Sequence, residues 1–288
     1  QQGSNTSGVM LGLLRTPPSF DNSNGFGEDA ADNPEAYMFA NGTQRTYRGG
    51  GGYDNPFWTV NRNPFNDDVN RFIGYFQLNY YITDWFDVMY RVGLDNYTDK
   101  RKQIFALYSR TVPTGRTFEH NITSNQFTSD LILTFTQKLT EDIGAKLLIG
   151  NNLFEDYSTS LYVQADNIII PNFYHISNFS GAFQREGKDK LRRMALYGDL
   201  TVDYLEWLYF NGTIRWEKST TLPKDNNAFV YGSANLSFVF SDAFKDVFKD
   251  SFVSFGKLRM NYAVVGKDAP LYSTTTPFAA STIADGWV

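Results

Sequence analysis

The 288-residue sequence contains no cysteine and only two histidines, His120 and His175. The first absence excludes disulfide frameworks and cysteine-ligated zinc. The second leaves no H-E-x-x-H or paired-histidine spacing for a catalytic metal. No apolar run approaches the roughly 18 residues of a transmembrane helix, and the mean hydropathy is -0.38. A helical membrane protein is thereby excluded, but a barrel is not, because its strands are apolar on one face only. Basic excess is missing too: 26 Lys and Arg stand against 31 Asp and Glu, for a net charge of -5. A nucleic-acid partner, which calls for a basic patch or stripe, is not expected. The opening QQGSNTSG lacks the basic and apolar regions of a signal peptide, as expected for a processed chain or an internal piece of a longer one.

Aromatic residues and glycine are plentiful: 25 Phe, 18 Tyr and 23 Gly. Such a composition favours strands and turns. Residues 1–68 read as an irregular loop region with room for a strand. They carry Pro17-Pro18, the stretch DNSNGFGEDAADN and the run Gly49 to Gly52. From residue 69 to 266 the pattern becomes period-2 alternation in eight runs. Alternate residues from Phe72 to Ile82, Phe86 to Leu94, Phe127 to Phe135 and Ile143 to Ile149 give the first four. Met194 to Tyr204, Leu208 to Trp216, Val230 to Phe240 and Phe252 to Val264 give the rest. None of these positions is charged or carries an amide, although 20 % of the whole chain is charged. The intervening positions carry Arg71, Arg91, Asp95, Asp130, Lys146, Arg193, Asp199, Asp203, Arg215 and Arg259. Charge is therefore sorted by face.

The connections are sorted as well. Thr83-Asp84-Trp85, Thr140-Glu141-Asp142 and Leu205-Glu206-Trp207 are tight turns, whereas the stretches from Leu94 to Phe127 and from Ile149 to Met194 read as long loops. SDAFKDVFKDS reads as one or two turns of amphipathic helix, and residues 267–288 as the start of another loop. Short turns at one end and long loops at the other are the outer-membrane barrel arrangement, with Tyr81, Trp85, Tyr204 and Trp207 where an interfacial girdle would sit. A soluble sandwich would also have an uncharged core face, but its strands are usually about five or six residues long. These runs reach the roughly 9 to 11 residues that a tilted membrane strand needs. The expected fold is all-β: an antiparallel transmembrane β-barrel segment of about eight strands.

Three segments carry a family likeness: NPFWTVNRNPFNDDVNRFIGYFQLNYYITDWFDVMYRVGLDNY (55–97), LRRMALYGDLTVDYLEWLYFNGTIRWEKSTTLP (191–223) and SFVSFGKLRMNYAVVGKDAPLY (251–272). Together they resemble the SusC/RagA family of TonB-dependent outer-membrane transporters of Bacteroidota. The landmarks are Asn55-Pro56-Phe57-Trp58, Tyr197-Gly198-Asp199-Leu200, Ser219 to Pro223 and Phe255 to Gly266. The resemblance implies a middle portion of a 22-stranded barrel in the outer membrane of a Gram-negative bacterium, without the plug domain. It implies uptake of oligosaccharides or peptides powered by TonB through that plug, with a SusD-like lipoprotein as lid. The rivals are another TonB-dependent receptor, a passive porin, or a soluble all-β carbohydrate-binding or adhesin module.

No enzymatic role is expected. Gly49 to Gly52 runs into Tyr-Asp instead of the GK[ST] of a phosphate-binding loop. Glu141-Asp142 lies in a tight turn, facing opposite ways, unsuited to glycosidase geometry. DNSNGFGEDAADN offers oxygen ligands to calcium but misses the EF-hand spacing, so solvation is the favoured role and no cofactor is expected. On the charged face, Arg71, Tyr75, Arg91, Asp95, Arg193, Tyr197, Asp199 and Arg215 are candidates for contact with substrate or plug. Rings beside hydrogen-bonding groups suit a polar oligomeric ligand. The alternative for each is pairing across strands. Tyr53, Phe57 and Trp58 are candidates for ligand or lid contact in the first loop.

Overall fold

The computed structural model describes residues 8–48, 52–249, 252–274 and 276. The loop expected at Gly49 to Gly52 lies outside this set except for Gly52, as does most of the expected loop at 267–288. Among the described residues no helix is long and apolar enough to cross a membrane. Eight strands dominate: β1 (Phe65–Thr83), β2 (Phe86–Phe105), β3 (Arg116–Lys138), β4 (Ile143–Ile168), β5 (Phe179–Tyr204), β6 (Leu208–Ser219), β7 (Ala228–Phe238) and β8 (Leu258–Val264). They form one antiparallel sheet in the order β1-β2-β3-β4-β5-β6-β7-β8, which is open, not closed. By packing the chain divides into two compact units, one of residues 1–71, 97–123 and 158–188, the other of residues 72–96, 124–157 and 189–288.

The second unit contains the alternating runs, and its register explains them. Across β5 and β6, Tyr204 faces Leu208, Val202 faces Phe210, Leu200 faces Gly212 and Leu196 faces Trp216. Across β6 and β7, Phe210 faces Leu236, Ile214 faces Gly232 and Trp216 faces Val230. Across β7 and β8, Leu236 faces Met260 and Phe238 faces Leu258. Because side chains alternate with period two, a one-residue slip would put charges into these rows. The apolar positions of four strands thus share one face. They are also exposed: Leu196 by 50 %, Ile214 by 61 % and Met260 by 67 %. An apolar surface continuous across many strands is far beyond what a soluble monomer presents.

At the short-turn end of this unit, aromatic rings cluster. Trp85 stacks on Phe86 and Phe135, with the two phenylalanine rings 4.6 Å apart. Trp207 meets Tyr204 and Phe238 edge to face, and its carbonyl accepts from the Val239 N–H at 2.7 Å. The expected helical connection is present as two short turns, α3 (Phe240–Ala243) and α4 (Lys245–Phe248). The eighth strand is shorter than its sequence pattern. Residues 252–257 are not strand, and the Gly256 carbonyl instead accepts from the Ser241 N–H in α3.

The first unit corrects the loop expectation. β2 runs to Phe105 and β3 starts at Arg116; β4 runs to Ile168 and β5 starts at Phe179. Much of both supposed loops is therefore strand, and β4 and β5 reach 26 residues each. Here the strands carry polar side chains on both faces. Lys102 pairs with Glu119 at 2.8 Å and Arg116 with Asp166, so the ladder continues without an apolar period. His120, expected in a loop, sits in β3 against the Tyr162 ring.

The rest of this unit is a small folded core, not irregular loop. It includes α1 (Val9–Arg15) and α2 (Pro56–Arg62). Asn55 caps α2 by accepting from the Phe57 N–H, and Pro56 occupies the first helical position, where its missing N–H costs nothing. Ala30, Ala36, Tyr37, Trp58 and Ala106 are buried together.

Candidate functional site

The odd-numbered residues of β5 to β7 lie opposite the apolar face, and their register gathers polar groups into rows. Tyr197 faces Arg215, which faces Tyr231; Asp199 faces Thr213, which faces Ser233. The Arg215 guanidinium lies over the Tyr197 ring at 5.5 Å and donates through Nε to Glu217 at 2.8 Å. The Tyr231 hydroxyl donates to the same carboxylate at 3.0 Å. Asn211 donates to Asp199 at 2.7 Å and accepts from Asn235 at 2.9 Å. A Cβ at Gly150 would collide with the Tyr197 ring, so glycine there lets the ring lie across β4. These groups border a hollow of about 400 Å³ lined by Tyr197, Asp199, Thr213, Arg215, Tyr231 and Ser233.

A second polar cluster joins β2, β3 and β4. Arg91 makes two hydrogen bonds to Asp130, at 3.1 and 2.8 Å, while Asn152 donates to the other carboxylate oxygen at 2.7 Å. Asp130 is buried, Arg91 half exposed. A third cluster holds Arg193. Its guanidinium lies 3.3 Å from Asp268, which accepts from the Ser219 and Thr221 hydroxyls at 2.9 and 2.8 Å. Burial alone would raise the Asp268 pKa, but the two hydroxyls and the Arg193 charge outweigh it and hold the carboxyl below its ordinary value.

Three of the expected residues, Tyr197, Asp199 and Arg215, therefore meet at one hollow. Arg91 and Arg193 lie apart from it, tied to Asp130 and Asp268, as Arg215 is tied to Glu217. Tyr75 lies exposed on β1, Asp95 is half-buried in β2, and Arg71, in the other unit, stacks on Tyr97 at 6.0 Å. The sequence reading missed Tyr231, Ser233 and Glu217. The parity of β6 and β7 places all three on the charged face, so the signal existed.

Trp58 points into the small core and not toward solvent. It is completely buried, donates its indole N–H to Ser109 Oγ at 3.0 Å and meets Tyr37 edge to face. Helical spacing in α2 turns it inward. Phe57 packs against the same core, and Tyr53 lies half-buried beneath the Arg15 guanidinium. In the DNSNGFGEDAADN loop the Asp21 carboxylate accepts from Ser23 and Gly25 N–H groups. Among the described residues no group of three or more acidic and histidine side chains converges on a metal-sized space.

No protein-family profile matches this chain, and neither does any curated protein. Solved structures do. A chain of the RagAB peptide transporter is similar with a TM-score of 0.68 at 11 % identity, over 77 % of this chain and 25 % of that one. The RagAB peptide importer in its open-open state gives 0.67 at 12 % identity, over 78 % and 26 %. Its closed-closed state gives 0.66 at 13 % identity, again over 78 % and 26 %. This chain spans about a quarter of the length of those it matches, and its fold is that of a β-barrel segment of such a transporter chain.

Proposed function

We propose that this chain is part of the wall of a TonB-dependent outer-membrane importer of the SusC/RagA kind. The observation that carries the reading is the exposed apolar face kept in register across β5 to β8, with the hydrogen-bonded charges of the same stretch on the other face. Lipid demands this arrangement: apolar side chains outward, backbone groups paired between strands, charges toward a watery interior. The likeness in fold to chains of a peptide transporter supports it.

Oligopeptides are the favoured cargo over neutral oligosaccharides. The hollow offers a guanidinium, a carboxylate, hydroxyls and tyrosine rings side by side, which suits a ligand bearing both charges and amide edges. Energy would come from TonB acting on a plug contributed by the rest of the protein, and a SusD-like lipoprotein would cover the long-loop end. Under this reading the protein does no covalent chemistry.

The test uses the full-length gene product. It should sediment with the outer membrane, need detergent for extraction, and migrate faster on gels when unheated. Cells carrying it should accumulate labelled short peptides only while TonB is functional. A native protein that stays in solution without lipid or detergent would overturn the proposal.

A further inference from the structure

The outward face does not end where its apolar rows end. In β5 these rows run from Tyr204 to Met194, which is ~33 Å along the strand at ~3.3 Å per residue and ~25 Å along the membrane normal at a tilt of ~40°. That is the full height of a barrel's apolar band. The next residues on the same face toward the long-loop end are Arg192 and Lys190, because side chains two apart share a face. Met194 faces Lys218 of β6 in the ladder, so Lys218 joins them. Three cations therefore stand just beyond the band, where the headgroups of the outer leaflet would lie.

One acid answers them. Glu155 accepts from Arg192 at 2.6 Å and from Lys190 at 3.1 Å, and both cations remain about half exposed. Lys218 is exposed and has no ion pair among the described residues. Between Arg192 and Lys218 opens a hollow of about 350 Å³ lined by the apolar Phe127, Leu153 and Met194 and by Glu155, Arg192, Lys218 and Thr220. An apolar floor continuous with the lipid-facing band, under a rim of excess positive charge, has the complementarity of an acyl chain joined to an anionic headgroup.

We infer that Arg192 and Lys218, supported by Lys190, form a site for a phosphate-bearing lipid of the outer leaflet, with its first acyl segment on Phe127, Leu153 and Met194. The inference rests on the membrane reading above. Glu155 offsets part of the charge of Arg192 and Lys190 and leaves the cluster a net positive charge.

The full-length protein, purified in mild detergent and stripped of lipid, is offered diphosphorylated lipid A or its dephosphorylated form in mixed micelles, and bound lipid is counted by native mass spectrometry. The wild type retains the phosphorylated lipid preferentially. Each basic residue near an anionic headgroup contributes about fivefold, so Arg192→Gln with Lys218→Gln lowers retention more than tenfold and erases the preference. Glu155→Gln shifts retention upward, because it removes the one competing anion. Equal retention by wild type and double variant, or a loss in Glu155→Gln matching the double variant, overturns the site. Heat-modifiable migration of the same samples separates the two readings. A normal barrel with no phosphate preference sinks only this inference, whereas a protein soluble without detergent sinks both.

Discussion

At the scale of single residues, the largest revision concerns Trp58. A tryptophan beside Asn55-Pro56 in a turn-rich stretch reads as a loop anchor for something outside. The structure makes it the centre of a small core. Its indole N–H satisfies Ser109, whose hydroxyl in turn donates to Asn63 at 2.8 Å, while the Asn63 side-chain oxygen also accepts from the Ala106 N–H. This chain of donors ties α2 to the far end of the β2–β3 connection. Trp58→Phe removes one donor and part of the ring volume, and should cost about 1–3 kcal/mol of local stability. Limited proteolysis should then show faster cleavage within residues 20–60, with the strands left intact. An unchanged cleavage rate would mean that the core does not depend on this residue.

At the scale of elements, the alternating runs were legible because apolar and charged residues are sorted to opposite faces, as lipid and water would demand under the proposed function, and the register of β5 to β8 repeats the parity read from the sequence. The strands of the first unit were not legible, because no such contrast acts there. Ion pairs such as Lys102–Glu119 can be recognised only once the register is known. Half of the candidate site was readable for the same reason: parity gives Tyr197, Asp199 and Arg215 a common face, but not which groups they pair with, as Arg215 does with Glu217. The turn after β5 also hides its geometry. Leu205 and Glu206 both adopt left-handed conformations, with φ of 48° and 58°, which glycine or asparagine would normally occupy. The Glu206 side chain makes no hydrogen bond or ion pair among the described residues that would hold it there, whereas its carbonyl accepts from the Tyr209 hydroxyl at 2.6 Å. Glu206→Gly keeps the carbonyl and relieves a strain of order 1 kcal/mol. The variant barrel should resist thermal unfolding better; a lower melting temperature would show that the side chain contributes a contact.

At the scale of the whole molecule, one substitution separates a membrane wall from a soluble sheet. Ile214 lies in the middle of the apolar rows, facing Gly198 on one side and Gly232 on the other, and is 61 % exposed. Asn211 lies on the same strand but the opposite face. If the sheet were soluble, Ile214→Lys would replace an exposed apolar side chain by a charged one and improve solubility at no cost to folding. In a membrane wall the same ammonium is placed near the bilayer midplane, where it costs about 2–4 kcal/mol. Asn211→Lys instead places its charge in the watery interior beside the Asp199 carboxylate, and loses the amide's hydrogen bonds to Asp199, Thr201 and Asn235. The expected outcome is selective: Ile214→Lys lowers the yield of assembled, heat-modifiable protein in the outer membrane several-fold, whereas Asn211→Lys assembles nearly as well as wild type. The contrast depends on facing and not on strand disruption, because both residues sit in β6 within one turn of the pleat. Equal tolerance of both would mean that the apolar face meets no lipid.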